Sequence, residues 1–298
     1  MRQFCVLGRL SILLCDTMFL ICLTHDIDQL EHPFSSTLGL AHGLFNSAKM
    51  RIALRYLAGV ASARKNPYDT YDRILDLEKK YGATSTFFVV PAQSKANAEC
   101  LARLRAARTE VALHNIGTSY ISPSELARQK NVIEKFLGSE ISGVRSHRLD
   151  LMIPRTFEFQ KHCGFKYDSS FFPPRYGNKR IYTPFPATDG LLELPLAFMD
   201  SDFQEMAMVG PDALQKTWTR IERILEDYRR RQGVCTILWH PTAFYDDGCE
   251  LHNLNYQHFK GFDKLYEMIL EYGSTKSDRM CGCLEAIEHW KGSEESMW

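Results

Sequence analysis

Apolar and polar positions along the chain follow two periods in turn. The run "FLICLTHDID", Phe19 to Asp28, is apolar over a strand's length and ends in ionisable residues, which predicts a buried strand that delivers chemistry at its carboxyl end. In "PYDTYDRILDLEKKYG", Tyr71, Ile74, Leu75 and Leu77 form a helical stripe that stops at Gly82, the place of a C-terminal glycine cap. "TSTFFVV", closed by Pro91, reads as a buried strand, "SKANAECLARLRAA" as a helix and "EVALH" as a short strand ending at His114. "SPSELARQKNVIEKFLG" carries a capping box, with Ser122 as N-cap, Pro123 at the first helical position and Glu125 at the third.

"GVRSH" follows as a strand, "PRTFEFQKHCG" as a helix closed by Gly164, and "FKYDSS" as a further strand-like piece. Between Phe171 and Gly190, four prolines and several aromatics predict a long loop with a task of its own. "LLELPL" reads as a strand, then comes a helix from about Pro211 to Gln232, the strand "VCTILWHP", a helix near Phe262 to Tyr272 and a last helical piece, "CLEAIEHWK". Strand and helix alternate without an obvious linker or repeat, which predicts one α/β domain over residues 1–298, built on a parallel sheet.

In such folds ligands bind beyond the carboxyl ends of the strands. The residues there are Thr24, His25, Asp26 and Asp28, then His114, Arg145 and His147, Asp168 with Ser169, and His240. Two carboxylates as close as Asp26 and Asp28 cannot both be anionic cheaply without a cation nearby. With imidazoles at hand, zinc or another first-row divalent metal such as cobalt fits that donor set, and would polarise a carbonyl and acidify a water. Arg145 can orient a carboxylate and His240 can protonate a leaving amine, which completes the groups needed to hydrolyse an acyl bond.

Lysine plus arginine and aspartate plus glutamate are equal at 36 each, so nothing points to nucleic acid and the partner is expected to be a small or neutral molecule. Nine cysteines without a framework spacing argue for a reducing compartment, with Cys281 and Cys283 as packing residues. Asp16 interrupts the N-terminal apolar run, and each half falls far short of the roughly 20 residues a membrane helix needs. The expectation is a cytoplasmic protein without a membrane span, with export the less favoured alternative.

The order of these pieces resembles the polysaccharide deacetylases of the NodB-homology type, carbohydrate esterase family 4 and its relatives, in the branch whose first motif reads "LTHD", an apolar residue, then Asp. "ILDLEKKYGATSTFFV" also resembles the helix and strand between that family's first two motifs, and the likeness spans about Phe19 to Trp290. The resemblance implies a distorted (β/α)7-type barrel and removal of acetyl groups from N-acetylated sugars, or cleavage of related amides, by a water activated at a divalent metal. It also implies roles: Asp26 as base, Asp28 and His114 as metal ligands, Arg145 ("GVRSH") orienting the base, Asp168 ("YDSS") as the fourth-motif aspartate and His240 ("ILWHP") as general acid.

The family's second motif usually has a second metal-binding histidine four residues after the first, where this chain has Thr118. His147, on the neighbouring strand, is the expected replacement. Thr118, Ser119 or water could instead complete an oxygen-rich shell, or the chain could be a weakly active sugar-binding relative. His25 is expected to support the site without ligating, and Trp239, Phe171, Phe172, Tyr176 and Tyr182 are candidates for a sugar platform, while His32, His42, His252 and His258 are read as surface or local structure. A D-x-D on an apolar strand also opens the haloacid-dehalogenase phosphatases, but "YDDGCE" is the sole later acidic pair for magnesium and that reading leaves His114, Arg145 and His240 unused.

Overall fold

The computed structural model describes residues 18–28, 70–92, 95–203, 212–244 and 261–295. The N-terminal run before Met18, the segment "YDDGCE" and the histidines at 32, 42, 252 and 258 lie outside the described residues. The elements are β1 (Leu20–Ile27), α1 (Tyr71–Lys80), β2 (Thr86–Val89), α2 (Lys95–Ala106), β3 (Glu110–Asn115), α3 (Pro123–Leu137), β4 (Gly143–Ser146), α4 (Arg155–His162) and β5 (Tyr167–Asp168). They continue with β6 (Phe185–Thr188), β7 (Leu191–Glu193), β8 (Leu196–Met199), α5 (Ala213–Arg230), β9 (Val234–Leu238), α6 (Phe262–Lys276), β10 (Arg279–Cys281) and α7 (Cys283–Glu295). Short 3₁₀ turns at Ser119–Ile121, His147–Leu149, Pro173–Tyr176, Asp200–Phe203 and Pro241–Phe244 lie among the loops that follow the strands.

The strands form one sheet in the order β6-β7-β5-β4-β3-β2-β1-β9-β8, with β10 beside the start of β1. All described pairings are parallel except β6 with β7. β7 pairs with β5 and β8 pairs with β9, at opposite ends of that order, yet Leu194 and Pro195 alone separate them in the chain. Such a link requires the sheet to curl upon itself, and the Leu196 N–H, which donates to the Phe171 carbonyl at 2.9 Å, ties its two ends together. The result is the distorted α/β barrel that the family resemblance implied, with the parallel sheet expected from the alternation.

Strand parity sorts the side chains. Leu20 and Cys22 join Phe88, Ala112, Tyr167, Val234 and Cys283 inside the barrel, whereas Ile21 and Leu23 join Phe87, Val89, Leu113 and Val144 under the helices. Successive residues of a strand face opposite sides, so Thr24 and Asp26 continue the inward row of β1 and His25 the outward one. Cys281 and Cys283 are both buried, and the Cys283 sulfur lies 3.7 Å from that of Cys22.

Local signals worked as expected in most helices. Ser122 Oγ accepts from the Glu125 N–H at the head of α3, a cap that contributes about 1 kcal/mol. The reciprocal half of the capping box is absent, because the Glu125 carboxylate turns to Arg128 and Gln129. The expected loop from Phe171 to Gly190 contains a strand: β6 turns at Gly190, where φ is +81°, and returns as β7. Pro186 is tolerated there because β6 is the outermost strand of the order. Among the described residues, no helix is long and apolar enough to cross a membrane.

Candidate metal and acid-base site

The inward row of β1 ends at Asp26, and Asp28 follows just past the strand. Asp26 is buried, and its Oδ1 accepts from Arg145 Nη1 at 2.8 Å. Arg145 is fully buried on β4, where its other bonds run from Nη1 to Thr24 Oγ1 (2.8 Å), from Nε to the Ser169 carbonyl (2.7 Å) and from Nη2 to Ser169 Oγ (2.8 Å). Its carbon Cζ also sits 4.0 Å from the centre of the Phe88 ring. Burial opposes the charge, but the neighbouring groups, the Asp26 carboxylate foremost, together outweigh it and raise the guanidinium pKa. Arg145 thus locks the Asp26 carboxylate in place by a charge-assisted hydrogen bond.

His114 lies beside Arg145 in the sheet register. Its Nδ1 is 3.1 Å from the Arg145 carbonyl, which can only accept, so Nδ1 carries a proton and Nε2 is the nitrogen turned toward the two aspartates. That Nε2 stands 2.9 Å from Asp28 Oδ1 and 3.7 Å from Asp26 Oδ2. His147 Nε2 approaches the same Asp28 oxygen at 3.7 Å, with its ring edge-on to His114 at a centroid distance of 5.4 Å. Donor atoms of Asp28, His114 and His147 all fall within 4.8 Å of one another.

These three residues fit a divalent cation. Ligand atoms about 2.1 Å from a tetrahedral zinc stand roughly 3.4 Å apart, and the separations of 2.9 and 3.7 Å bracket that distance. The Nδ1 bond to a carbonyl is the usual way a ligating imidazole is oriented. Burial and the charge on His114 lower the His147 pKa, favouring the neutral form a metal needs. Burial works against ionisation of Asp28, yet hydrogen bonding and charge from His114, aided by His240 and His147, hold its carboxyl near 2. Thr118 is exposed, and Ser119 is engaged with Asn115 and the Ile116 carbonyl. Neither belongs to the cluster.

His240 follows β9 on the inward row, and its Nε2 is 3.7 Å from Asp28 Oδ2. Behind it, Asp200 accepts from the His240 ring Nδ1 at 2.8 Å and from its backbone N–H at 2.7 Å. Burial alone would hold the ring neutral, but the charges of Asp200, then Asp28 and Asp26, lift its pKa to about 10. A protonated imidazole beside the cluster is a proton donor at neutral pH. Asp200 went unrecognised in the sequence. Its signal was the apolar run "LPLAFMD", another strand ending in a carboxylate.

Asp168 is not brought to this cluster, for a geometric reason. Tyr167 faces the barrel interior, so Asp168, its neighbour on β5, faces outward. There it accepts from Gln160 Nε2 at 2.8 Å, from the Ser170 N–H at 2.8 Å and from Ser170 Oγ at 2.7 Å, fully buried. The position expected for a fourth-motif aspartate holds its own loop, and the carboxylate facing the site from this region is Asp200. Trp239 also differs from expectation: it is fully buried against Phe262 and Tyr266 and offers no platform. Phe171 stacks on Tyr176 at 4.8 Å, while Tyr182 packs on Tyr228 and accepts through its carbonyl from Val234 at the start of β9, the end remote from the cluster.

No curated protein matches the chain in sequence. Among solved structures, a protein described as a polysaccharide deacetylase from Mycobacterium smegmatis is 18% identical with a TM-score of 0.59, and the alignment covers 94% of this chain and 92% of that one. One so described from Pseudomonas aeruginosa PAO1 is 13% identical, also at 0.59, with 93% and 92% covered. The same values hold for the Puue allantoinase. At such identities the likeness establishes the fold, a deacetylase-type (β/α)7 barrel. The family described as "WbmS-like: Polysaccharide deacetylase" matches residues 67–257, a span holding His114, Arg145, His147, Asp200 and His240. The phosphatase alternative, which leaves His114, Arg145 and His240 unused, finds no support in this family or in the imidazoles that stand beside Asp26 and Asp28. A match over more than half of the chain, on a barrel of the same type, makes this chain a member of the WbmS-like polysaccharide deacetylase family.

Proposed function

We propose that the protein is a metal-dependent hydrolase that removes an N-acetyl group from a sugar, with Asp28, His114 and His147 holding the cation, zinc being favoured. The observation that carries this reading is the orientation of His114: its Nδ1 is bound to the Arg145 carbonyl, which turns Nε2 toward Asp28 and Asp26, where loss of the Nε2 proton would leave a lone pair for the cation. When bound, the cation would polarise the acyl carbonyl and lower the pKa of water.

The chain's own groups supply the proton traffic. Asp26, held by Arg145, accepts a proton from the attacking water. His240, kept protonated by Asp200, gives one to the nitrogen of the departing amine, leaving acetate and a free amino sugar. The same groups would serve a small amide in place of the acetamido sugar.

The test is metal analysis of the purified protein, followed by an acetate-release screen over free, nucleotide-linked, lipid-linked and polymeric N-acetyl sugars. Bound zinc and release from one class support the reading. No bound ion, together with no release after zinc or cobalt is added, overturns it.

A further inference from the structure

His25 precedes the proposed base, Asp26, in the chain, and its ring binds the peptide that leads to the proposed acid, His240. Strand parity turns His25 away from the barrel interior into the layer beneath α1 and α6, where it is fully buried. Its Nδ1 lies 2.7 Å from the Trp239 carbonyl and its Nε2 lies 2.8 Å from Glu78 Oε1. A carbonyl accepts only, so Nδ1 carries a proton. One further proton lies between Nε2 and the carboxylate, so that contact is a hydrogen bond whichever atom holds it.

Glu78 is itself anchored. Tyr266 Oη donates to its Oε1 at 2.7 Å and Ser85 Oγ to its Oε2 at 2.8 Å. The His25 ring is packed by Phe87 at 4.8 Å and Tyr266 at 5.5 Å. Such a group meets neither solvent nor substrate, and it acts through the main chain it binds.

That main chain is the peptide unit joining Trp239 to His240. Its carbonyl is held by His25, and its N–H is held by Asp200 at 2.7 Å. The Trp239 N–H in turn donates to the Thr24 carbonyl at 2.9 Å, and Thr24 Oγ1 donates to the Ile237 carbonyl at 2.7 Å. The plane of the peptide before His240 is thus fixed from both sides, while the residue after His25 is Asp26.

We propose that His25, backed by Glu78, is a positioning residue: it fixes the Trp239–His240 peptide and so sets the separation of the Asp26 carboxylate from the His240 imidazole. This rests on the deacetylase reading, since the separation matters only if both groups serve one reaction. A displacement of about 1 Å at such a pair can cost up to a hundredfold in rate.

Two substitutions separate the two bonds of the ring. His25→Asn places an amide N–H near the position of Nδ1 and keeps the bond to Trp239. His25→Gln reaches toward Glu78 and leaves the Trp239 carbonyl without its donor. Measured on the metal-loaded protein with the best substrate of the acetate screen, His25→Asn should keep kcat near wild type. His25→Gln should lose about tenfold to a hundredfold in kcat, with KM and metal content unchanged. The double variant His25→Phe/Glu78→Gln leaves no buried charge unpaired, so it should fold even if a single variant does not, and show the same loss of kcat. Equal activity of an active wild type, His25→Gln and the double variant overturns the positioning role alone, as does a loss common to the Asn and Gln variants. Absence of acetate release by the wild type overturns the deacetylase reading and the positioning role with it.

Discussion

Asp200 holds His240 twice, accepting from its ring Nδ1 at 2.8 Å and from its backbone N–H at 2.7 Å. One carboxylate therefore sets both the orientation of the imidazole and its charge. Burial disfavours the protonated ring, and Asp200 is the largest of the charges that overcome it, giving a pKa of about 10. A cation at Asp28 would withdraw part of the support from that side, whereas the Asp200 contribution stays.

Asp200→Asn keeps an oxygen acceptor and removes the charge, so the His240 pKa falls and the alkaline limb of the kcat profile moves to lower pH. The stability effect has a definite sign. The folded pKa lies above the ordinary value of 6.5, so the stabilisation is complete below 6.5 and is lost as pH rises through about 10. Urea midpoints taken below and above that window should fall for the wild type and change less for Asp200→Asn. An alkaline limb that does not move would remove Asp200 from this role.

His147 approaches Asp28 Oδ1 at 3.7 Å, and Thr118 occupies the position where the family usually has its second histidine. His147→Ala should weaken zinc binding by at least about tenfold, since even residues behind a metal ligand commonly cost that much. Thr118→Ala should leave the affinity unchanged. Competition with a chromogenic chelator reads both. Equal affinities in the two variants would exclude His147 from the ligand set.

Much of the site was legible because β1, β3, β4 and β9 carry short apolar runs with ionisable residues at or just past their carboxyl ends. Asp26, Asp28, His114, Arg145, His147 and His240 all announce themselves in that way. Asp168 did so too, but a strand as short as Tyr167–Asp168 has no alternation from which to read which residue faces inward. Asp200 was obscured by Pro195, which breaks the run "LLELPLAFMD" into two strands paired at opposite ends of the sheet order. The β6 strand was hidden because prolines signal loop wherever an edge position cannot be recognised from the chain alone.

Arg145 makes four side-chain hydrogen bonds, to Asp26, Thr24, the Ser169 carbonyl and Ser169 Oγ. Arg145→Met removes all of them and leaves Asp26 buried without its cation, a change that costs about 3–5 kcal/mol. Arg145→Lys keeps the charge, but a point-like ammonium cannot reproduce the fork that joins Asp26 to Ser169. Guanidinium denaturation should show a large loss of stability for Met and a smaller one for Lys, with kcat greatly reduced in both. Wild-type kcat in Arg145→Lys would mean that charge alone, and not the fork, orients Asp26.

Glu193 and Asp168 form a buried carboxyl pair on the outer side of the same sheet. Glu193 Oε1 accepts from the Phe171 N–H at 3.0 Å, and a hydrogen bond between the Glu193 and Asp168 carboxyls, which needs a proton on one of them, joins the pair. Burial and the neighbouring Asp168 charge push the Glu193 pKa well above its ordinary value of 4.5, and burial raises that of Asp168 also. The folded state therefore retains protons that the unfolded chain loses once pH passes the ordinary carboxylate range, and stability falls as pH rises from there. Glu193→Gln keeps a neutral donor facing Asp168 and removes one titration. The variant should match the wild type in acid and become progressively more stable than it from about pH 5 upward. Denaturant midpoints across that range check it, and parallel curves for the two proteins would show that Glu193 is already ionised in the fold.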